Sequence, residues 1–149
     1  MTDSNAPDPD QAALTRCGFV ALIGEPNAGK STLMNRIVGA KVSIVTHKVQ
    51  TTRARIRGIA LSGAAQLVFV DTPGLFRTRR NLDRAMVAAA WAGAADADIT
   101  VLLVEAHRGI TPGVEHILGQ LTAGTVGRVA LAINKIDRVK SPGLLQLTQ

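Results

Sequence analysis

Lys30 and Ser31 close a run of eight residues, Gly24-Glu25-Pro26-Asn27-Ala28-Gly29-Lys30-Ser31, whose types and spacing suit the gripping of a phosphate chain. Glycines let the backbone curl so that successive N–H groups point inward at one anion. The Lys30 ammonium can reach the β- and γ-phosphates of a nucleotide, and the Ser31 hydroxyl is a hard oxygen donor for Mg²⁺. An apolar run, Phe19 to Ile23, precedes the loop, and a helical pattern (Leu33, Met34, Ile37, Val38) follows it. The phosphates would therefore sit over a helix N-terminus, where the backbone dipole is positive.

Two later clusters have complementary chemistry. Asp71-Thr72-Pro73-Gly74 follows the apolar run Gln66 to Val70. A carboxylate at the end of a buried strand can hold Mg²⁺ directly or through water. Gly74 can offer its N–H to the terminal phosphate, and its freedom in φ lets the loop move when that phosphate leaves. Asn134-Lys135-Ile136-Asp137 follows the run Arg128 to Ile133. An Asp carboxylate can accept two hydrogen bonds from guanine, at N1–H and the 2-amino group. Adenine lacks that donor pair and would leave a buried charge unpaired. Asn134 can bridge base and loops, and the Lys135 stem can lie along the base plane. The phosphate-loop run is specific by itself, whereas alone the second cluster reads as readily as a polar Asp-x-Pro-Gly turn and the third as a chance tetrapeptide. Their common position, each at the end of an apolar strand, makes them one site.

The elements that must position them alternate strand and helix, with strands that are apolar throughout. That predicts an α/β fold of the P-loop NTPase type, a mainly parallel sheet with helices on both faces and ligands at the carboxyl ends of the strands. Residues 1–15, with Asp3, Pro7, Asp8, Pro9 and Asp10, read as a flexible tail before a domain over 16–149. Gly39 is a stop for the first helix. Lys41 to Thr46 alternates like a short strand and leads into the polar loop His47 to Arg53, where a hydroxyl can reach the metal. Arg55 to Leu61 and Gln66 to Val70 read as a hairpin. A basic loop from Leu75 to Asn81 carries Arg77, Arg79 and Arg80, and with Arg84 it reads as a solvated face. Leu82, Ala85, Met86 and Ala89 mark one helix face, with Trp91 in the core. After the strand Ile99 to Val104, Thr111 and Pro112 look like a helix cap and first turn, followed by Val114, Ile117, Leu118 and Leu121 at helical spacing. Ser141-Pro142 looks like one more helix start.

Composition narrows the class. The chain has 149 residues, 46% hydrophobic and 3% aromatic, so aliphatic side chains must fill one core. No apolar run approaches the ~20 residues that cross a bilayer, and the acidic N-terminus does not resemble a secretory signal. The single Cys17 excludes an intramolecular disulfide and fits a reducing cytoplasm; it reads as a small apolar residue at the entrance of the first strand. His47, His107 and His116 lack metal-ligand spacing and read as surface or capping residues. A net charge of +6 favours a polyanionic partner such as RNA, the ribosome or anionic lipid.

With Cys17-Gly18-Phe19-Val20-Ala21 and the stretch Gln50 to Ile59, the three clusters resemble the Era-like GTPase family, of the translation-factor class of P-loop GTPases. The resemblance runs from about Cys17 to Asp137, and Gln50 to Ile59 is its most specific part. Glu25 stands where that family usually has Arg, and Ala28 where it usually has Val. The resemblance implies a GTP-hydrolysing switch with GTP/GDP and Mg²⁺ as cofactors. Its nucleotide contacts would be Gly24, Glu25, Pro26, Asn27, Ala28, Gly29, Lys30 and Ser31; Asp71, Thr72, Pro73, Gly74 and Leu75; and Asn134, Lys135, Ile136 and Asp137. Lys30, Asn27, Thr52 and Gly74 would act in hydrolysis. Ser31, Asp71 and Thr52, with Thr51 as the alternative to Thr52, would hold Mg²⁺. Leu75 stands where Ras-like proteins use a water-positioning glutamine, so water must be handled differently, and Asn27 matches an asparagine that helps hold a potassium ion in related GTPases.

The resemblance also implies a role in small ribosomal subunit assembly, with 16S rRNA bound through a KH domain absent from this chain. The location would be cytoplasmic, with peripheral association at the inner membrane; the oligomeric state stays open. By the same comparison the last strand and helix of the domain, and a guanine-bracing loop, are missing at the C-terminus. The alternatives are a Der- or tRNA-modification-type GTPase, a small-molecule phosphotransferase, and a guanine-nucleotide-binding scaffold without useful turnover.

Overall fold

Side chains of the first strand, β1 (Arg16–Gly24), alternate between two cores, and this alternation organises the molecule. The computed structural model describes residues 16–41, 56–75, 81–124 and 127–140. Val20 and Leu22 point to one side of the sheet and Ala21 and Ile23 to the other, all of them buried. Period-two alternation with both sides apolar is what a strand covered on both faces requires.

The sheet has the order β2-β3-β1-β4-β5, with β2 over Ile56–Ser62, β3 over Ala65–Asp71, β4 over Ile99–Glu105 and β5 over Arg128–Asn134. β1 pairs in parallel with β3 and β4, β4 pairs in parallel with β5, and β2 alone is antiparallel, to β3. The predicted hairpin is therefore present. Its loop is only Gly63 and Ala64, because Ser62 pairs with Ala65, and Gly63 takes the positive φ of 56° that suits so short a connection.

Helix α1 (Lys30–Val38) lies on one face, where Met34 packs with Val20, Leu22, Phe69 and Leu103. Helices α2 (Asn81–Ala95) and α3 (Pro112–Thr122) lie on the other, where Ala90, Ala94, Val114, Ile117 and Leu121 pack with Ala21, Ile23, Leu102 and Val104. The expected ends of two helices are in place. Gly39 closes α1 at φ 76°, its N–H donating to the Asn35 carbonyl at 3.0 Å. Thr111 caps α3, its hydroxyl accepting from the Val114 N–H at 3.1 Å, with Pro112 as the first helical residue.

One expectation is corrected, and packing decides two exposures that the sequence left open. The buried face of α2 is Met86, Ala90 and Ala94, flanked by Val87 and Trp91, whereas Ala85 is exposed. In a helix this rich in alanine the apolar period has little phase, and the few bulky side chains decide which way it rolls. Cys17 is exposed, since the first residues of β1 project beyond the helices that cover its buried half. Finally, β5 is as apolar as its neighbours but leaves Val129 and Leu131 about half exposed, because among the described residues it pairs only with β4.

The tail over 1–15, the strand expected beyond Lys41, the loop His47 to Arg53, residues 76–80 with Arg77, Arg79 and Arg80, and the helix start at Ser141 lie outside the described residues. Among those described, no helix is long and apolar enough to cross a membrane.

Ile117 fastens α3 to the sheet and is 1% exposed. Ile117→Ala should cost ~2–5 kcal/mol, read as a lower urea midpoint with an unchanged slope in chemical unfolding.

Candidate functional site

Between Gly24, where β1 ends, and Lys30, where α1 begins, the chain turns through left-handed dihedrals at Asn27 (φ 65°) and Gly29 (φ 98°). A side chain at Gly29 would be strained by that dihedral and would also collide with the Asn134 amide. Gly24 permits an equally close approach: a Cβ there would stand 2.6 Å from the Leu103 carbonyl oxygen. Ala28 is buried, so at that position the loop offers an anion its backbone and not its side chain.

Lys30 is 6% exposed and its ammonium donates to the carbonyls of Gly24 at 3.1 Å and Glu25 at 2.9 Å. Burial lowers its pKa from 10.5 to about 8, and the Asp71 and Glu25 carboxylates oppose that loss of charge. One residue on, the Ser31 hydroxyl donates to Asp71 Oδ2 at 2.5 Å, and Asp71 is fully buried at the end of β3. A hydroxyl and a carboxylate in contact at a helix N-terminus are a hard-oxygen pair that fits Mg²⁺, an ion that takes few protein ligands and keeps water and phosphate oxygens. Thr51 and Thr52, the remaining expected ligands, lie outside the described residues.

The loop after Asp71 lies directly on the phosphate loop. Thr72 Oγ1 donates to the Leu22 carbonyl at 2.6 Å, and the Leu75 N–H donates to the Gly24 carbonyl at 2.9 Å. Gly74 passes so close that a Cβ would stand 2.9 Å from Pro26 Cα. The Leu75 side chain is buried in the core with Ala21 and Ile23. An apolar, buried side chain cannot orient water by hydrogen bonding.

The third cluster closes the ring. Asn134 Nδ2 donates to the Ala28 carbonyl at 2.8 Å, and Lys135, at φ 58°, donates from Nζ to the Asn27 carbonyl at 2.7 Å. Ile136 and Asp137 follow in an exposed 3-10 turn, Ile136–Arg138, which leaves the Asp137 carboxylate accessible. The structure thus brings together all three clusters expected from the sequence.

Three side chains gain roles that sequence reasoning missed. Glu105, 7% exposed at the end of β4, accepts from Lys135 Nζ at 2.8 Å. Its signal was available: like Asp71, it is a carboxylate ending an apolar strand. Arg108 lies 3.7 Å from both Glu25 Oε2 and Glu105 Oε1, and its guanidinium is half exposed, so these pairs contribute less than ~1 kcal/mol each. The Glu25 carboxylate rests on Gly113 in the first turn of α3, where an added Cβ would collide with it and where a negative charge is favoured. Glu25 is therefore more than a neutral replacement in the loop.

A family model described as 50S ribosome-binding GTPase matches residues 19–135. The chain is 77% identical to GTPase Era of Dinoroseobacter shibae over 94% of its own length and 46% of the relative's. It is 58% identical to GTPase Era of Rhizobium meliloti over 99% of its length and 47% of the relative's. It therefore spans about half the length of the curated relatives it matches. Among solved structures, Era in complex with MgGDPNP and nucleotides 1506-1542 of 16S ribosomal RNA superposes with a TM-score of 0.84 at 36% identity, covering 90% of this chain and 46% of that one. An Aquifex aeolicus Era variant bound to GDP and aluminium fluoride superposes with a TM-score of 0.83, also at 36% identity, covering 90% of this chain and 46% of that one.

The buried Lys30 gives the unliganded chain a defined pH dependence. With a folded pKa of about 8 against the ordinary lysine value of 10.5, the unfolded chain binds more protons between those limits. Stability should therefore rise with pH across that window, by up to ~1.4 kcal/mol per unit, and the slope should vanish in Lys30→Met. Urea midpoints measured at several pH values check this.

Proposed function

The chain belongs to the 50S ribosome-binding GTPase family, and from that footing we propose that it is the guanine-nucleotide switch domain of an Era-type protein. In this reading it binds GTP and GDP with Mg²⁺, hydrolyses GTP and serves assembly of the small ribosomal subunit. One observation carries the reading: a single phosphate loop is bonded both to a strand-end carboxylate, through Ser31 and Asp71 at 2.5 Å, and to a guanine-type recognition turn, through Asn134 and Ala28 at 2.8 Å.

Each part of the chain then has a task. The loop N–H groups and the α1 terminus take up phosphate charge, and Lys30, already held at the loop mouth, needs only to exchange carbonyl partners for phosphate oxygens. Ser31 and Asp71 would hold Mg²⁺, which when bound neutralises charge on the β- and γ-phosphates. Gly74 presents its N–H to the terminal phosphate, and loss of that phosphate frees the Asp71–Leu75 loop from the phosphate loop. Asp137 reads the guanine edge. With Leu75 buried, no glutamine-like group orients water at that position. We assign the supply of positive charge to a potassium ion held partly by Asn27.

Support for the ribosomal part is by likeness. A similar Era structure was solved with MgGDPNP and a 16S rRNA segment, and a net charge of +6 suits a polyanionic partner.

Competition for labelled GDP tests the nucleotide assignment: GTP should displace it and ATP should not, and equal displacement by both would refute it. Asp137→Asn should weaken GDP about tenfold to hundredfold and shift preference toward xanthine nucleotides, since the amide can accept from N1–H while donating to the 2-carbonyl. Hydrolysis should run faster in potassium than in sodium buffer; equal rates would remove the potassium assignment and leave the rest standing.

A further inference from the structure

Glu105 is the one buried carboxylate of the site, among the described residues, that the proposed nucleotide chemistry does not use. It ends β4, in register with Asn134 of the base turn. Its Oε2 accepts from Lys135 Nζ at 2.8 Å, and the same ammonium donates to the Asn27 carbonyl of the phosphate loop at 2.7 Å. The head of the Lys135 side chain is thereby held between the end of β4 and the phosphate loop.

The backbone of Glu105 is as firmly placed as its side chain. It stands opposite Asn134 in the parallel β4–β5 pairing, and the next residue, Ala106, donates its N–H to the Asn134 carbonyl at 2.8 Å. Its own carbonyl accepts from the N–H groups of Arg108 at 3.1 Å and Gly109 at 3.0 Å. The other nitrogen groups near the carboxylate are farther off, the His107 imidazole Nε2 at 3.6 Å and Arg108 Nη1 at 3.7 Å. Lys135 is its close partner.

We propose that Glu105 is a positioning residue for guanine-nucleotide binding, acting through Lys135. Its charge holds the lysine stem in the plane where the base must lie and locks the base turn to the phosphate loop, so it governs how long a bound guanine nucleotide stays. This rests on the nucleotide reading above. A lysine held by one charged and one carbonyl acceptor samples few rotamers, so less freedom is lost when the base settles on its stem. Without the carboxylate, the ammonium would keep only the loop carbonyl and would swing toward solvent.

The test is a double-mutant cycle on GDP dissociation from the 149-residue chain, using Glu105→Gln, Lys135→Gln and both together. Glu105→Gln keeps shape and one hydrogen bond but removes the charge, and should speed GDP release about tenfold. In the Lys135→Gln background the same change should have little effect, because the group through which Glu105 acts is gone. Glu105→Asp, which keeps the charge but falls short of the ammonium, should give an intermediate rate, and it serves as the test if the Gln variant fails to fold. Unchanged release in Glu105→Gln, or equal acceleration in both backgrounds, would overturn the proposal while leaving guanine binding intact. Failure of the unsubstituted chain to bind GDP would overturn the nucleotide reading and this inference with it.

Discussion

A loop that must offer N–H groups to an anion can spare few of them for its own shape (here the Ala28 N–H, which donates to the Glu25 carbonyl at 3.3 Å), so it has to be held largely from outside. In this chain that holding is done at the carbonyls. Gly24 accepts from Leu75 and Lys30, Glu25 from Lys30, Asn27 from Lys135 and Ala28 from Asn134. Donors at or just beyond the ends of two other strands, β3 and β5, and Lys30 at the start of α1 therefore meet the one turn between Gly24 and Lys30. The same bonds that shape the cradle tie it mechanically to the other two clusters.

Charge adds a second constraint. Lys30 is an ammonium taken out of water with carbonyls as its direct acceptors, and burial lowers its pKa although the Asp71 and Glu25 carboxylates favour its charge. A phosphate chain offers it a far better partner. Asp71 faces the corresponding problem with opposite sign, and its contact with the Ser31 hydroxyl keeps a buried carboxylate hydrogen-bonded.

Sheet order brings these groups within reach. With β1 central and parallel to both neighbours, the carboxyl ends of β3, β1, β4 and β5 lie along one edge, and Asp71, Gly24, Glu105 and Asn134 are the residues found there. Glu25 and Arg108 extend the contact to the start of α3, so the departure at Glu25 is matched by a local partner.

The residue order alone determined much: three polar clusters, each ending an apolar run, the hairpin before Asp71, the caps of α1 and α3, and a parallel sheet with two covered faces. Those are local features, written in periodicity, glycine placement and the chemistry of short runs. Tertiary structure decided the rest. The roll of α2 was hidden because alanines supply little area to mark a face, and the exposure of Cys17 and Leu131 depends on which strands and helices stand beside them. The pairing of Glu105 with Lys135 joins residues 30 positions apart through a strand register that no spacing rule encodes. Residue type announces what a side chain can do; only packing in three dimensions settles which partner it does it with, because burial and hydrogen-bond geometry are properties of neighbours distant in the chain.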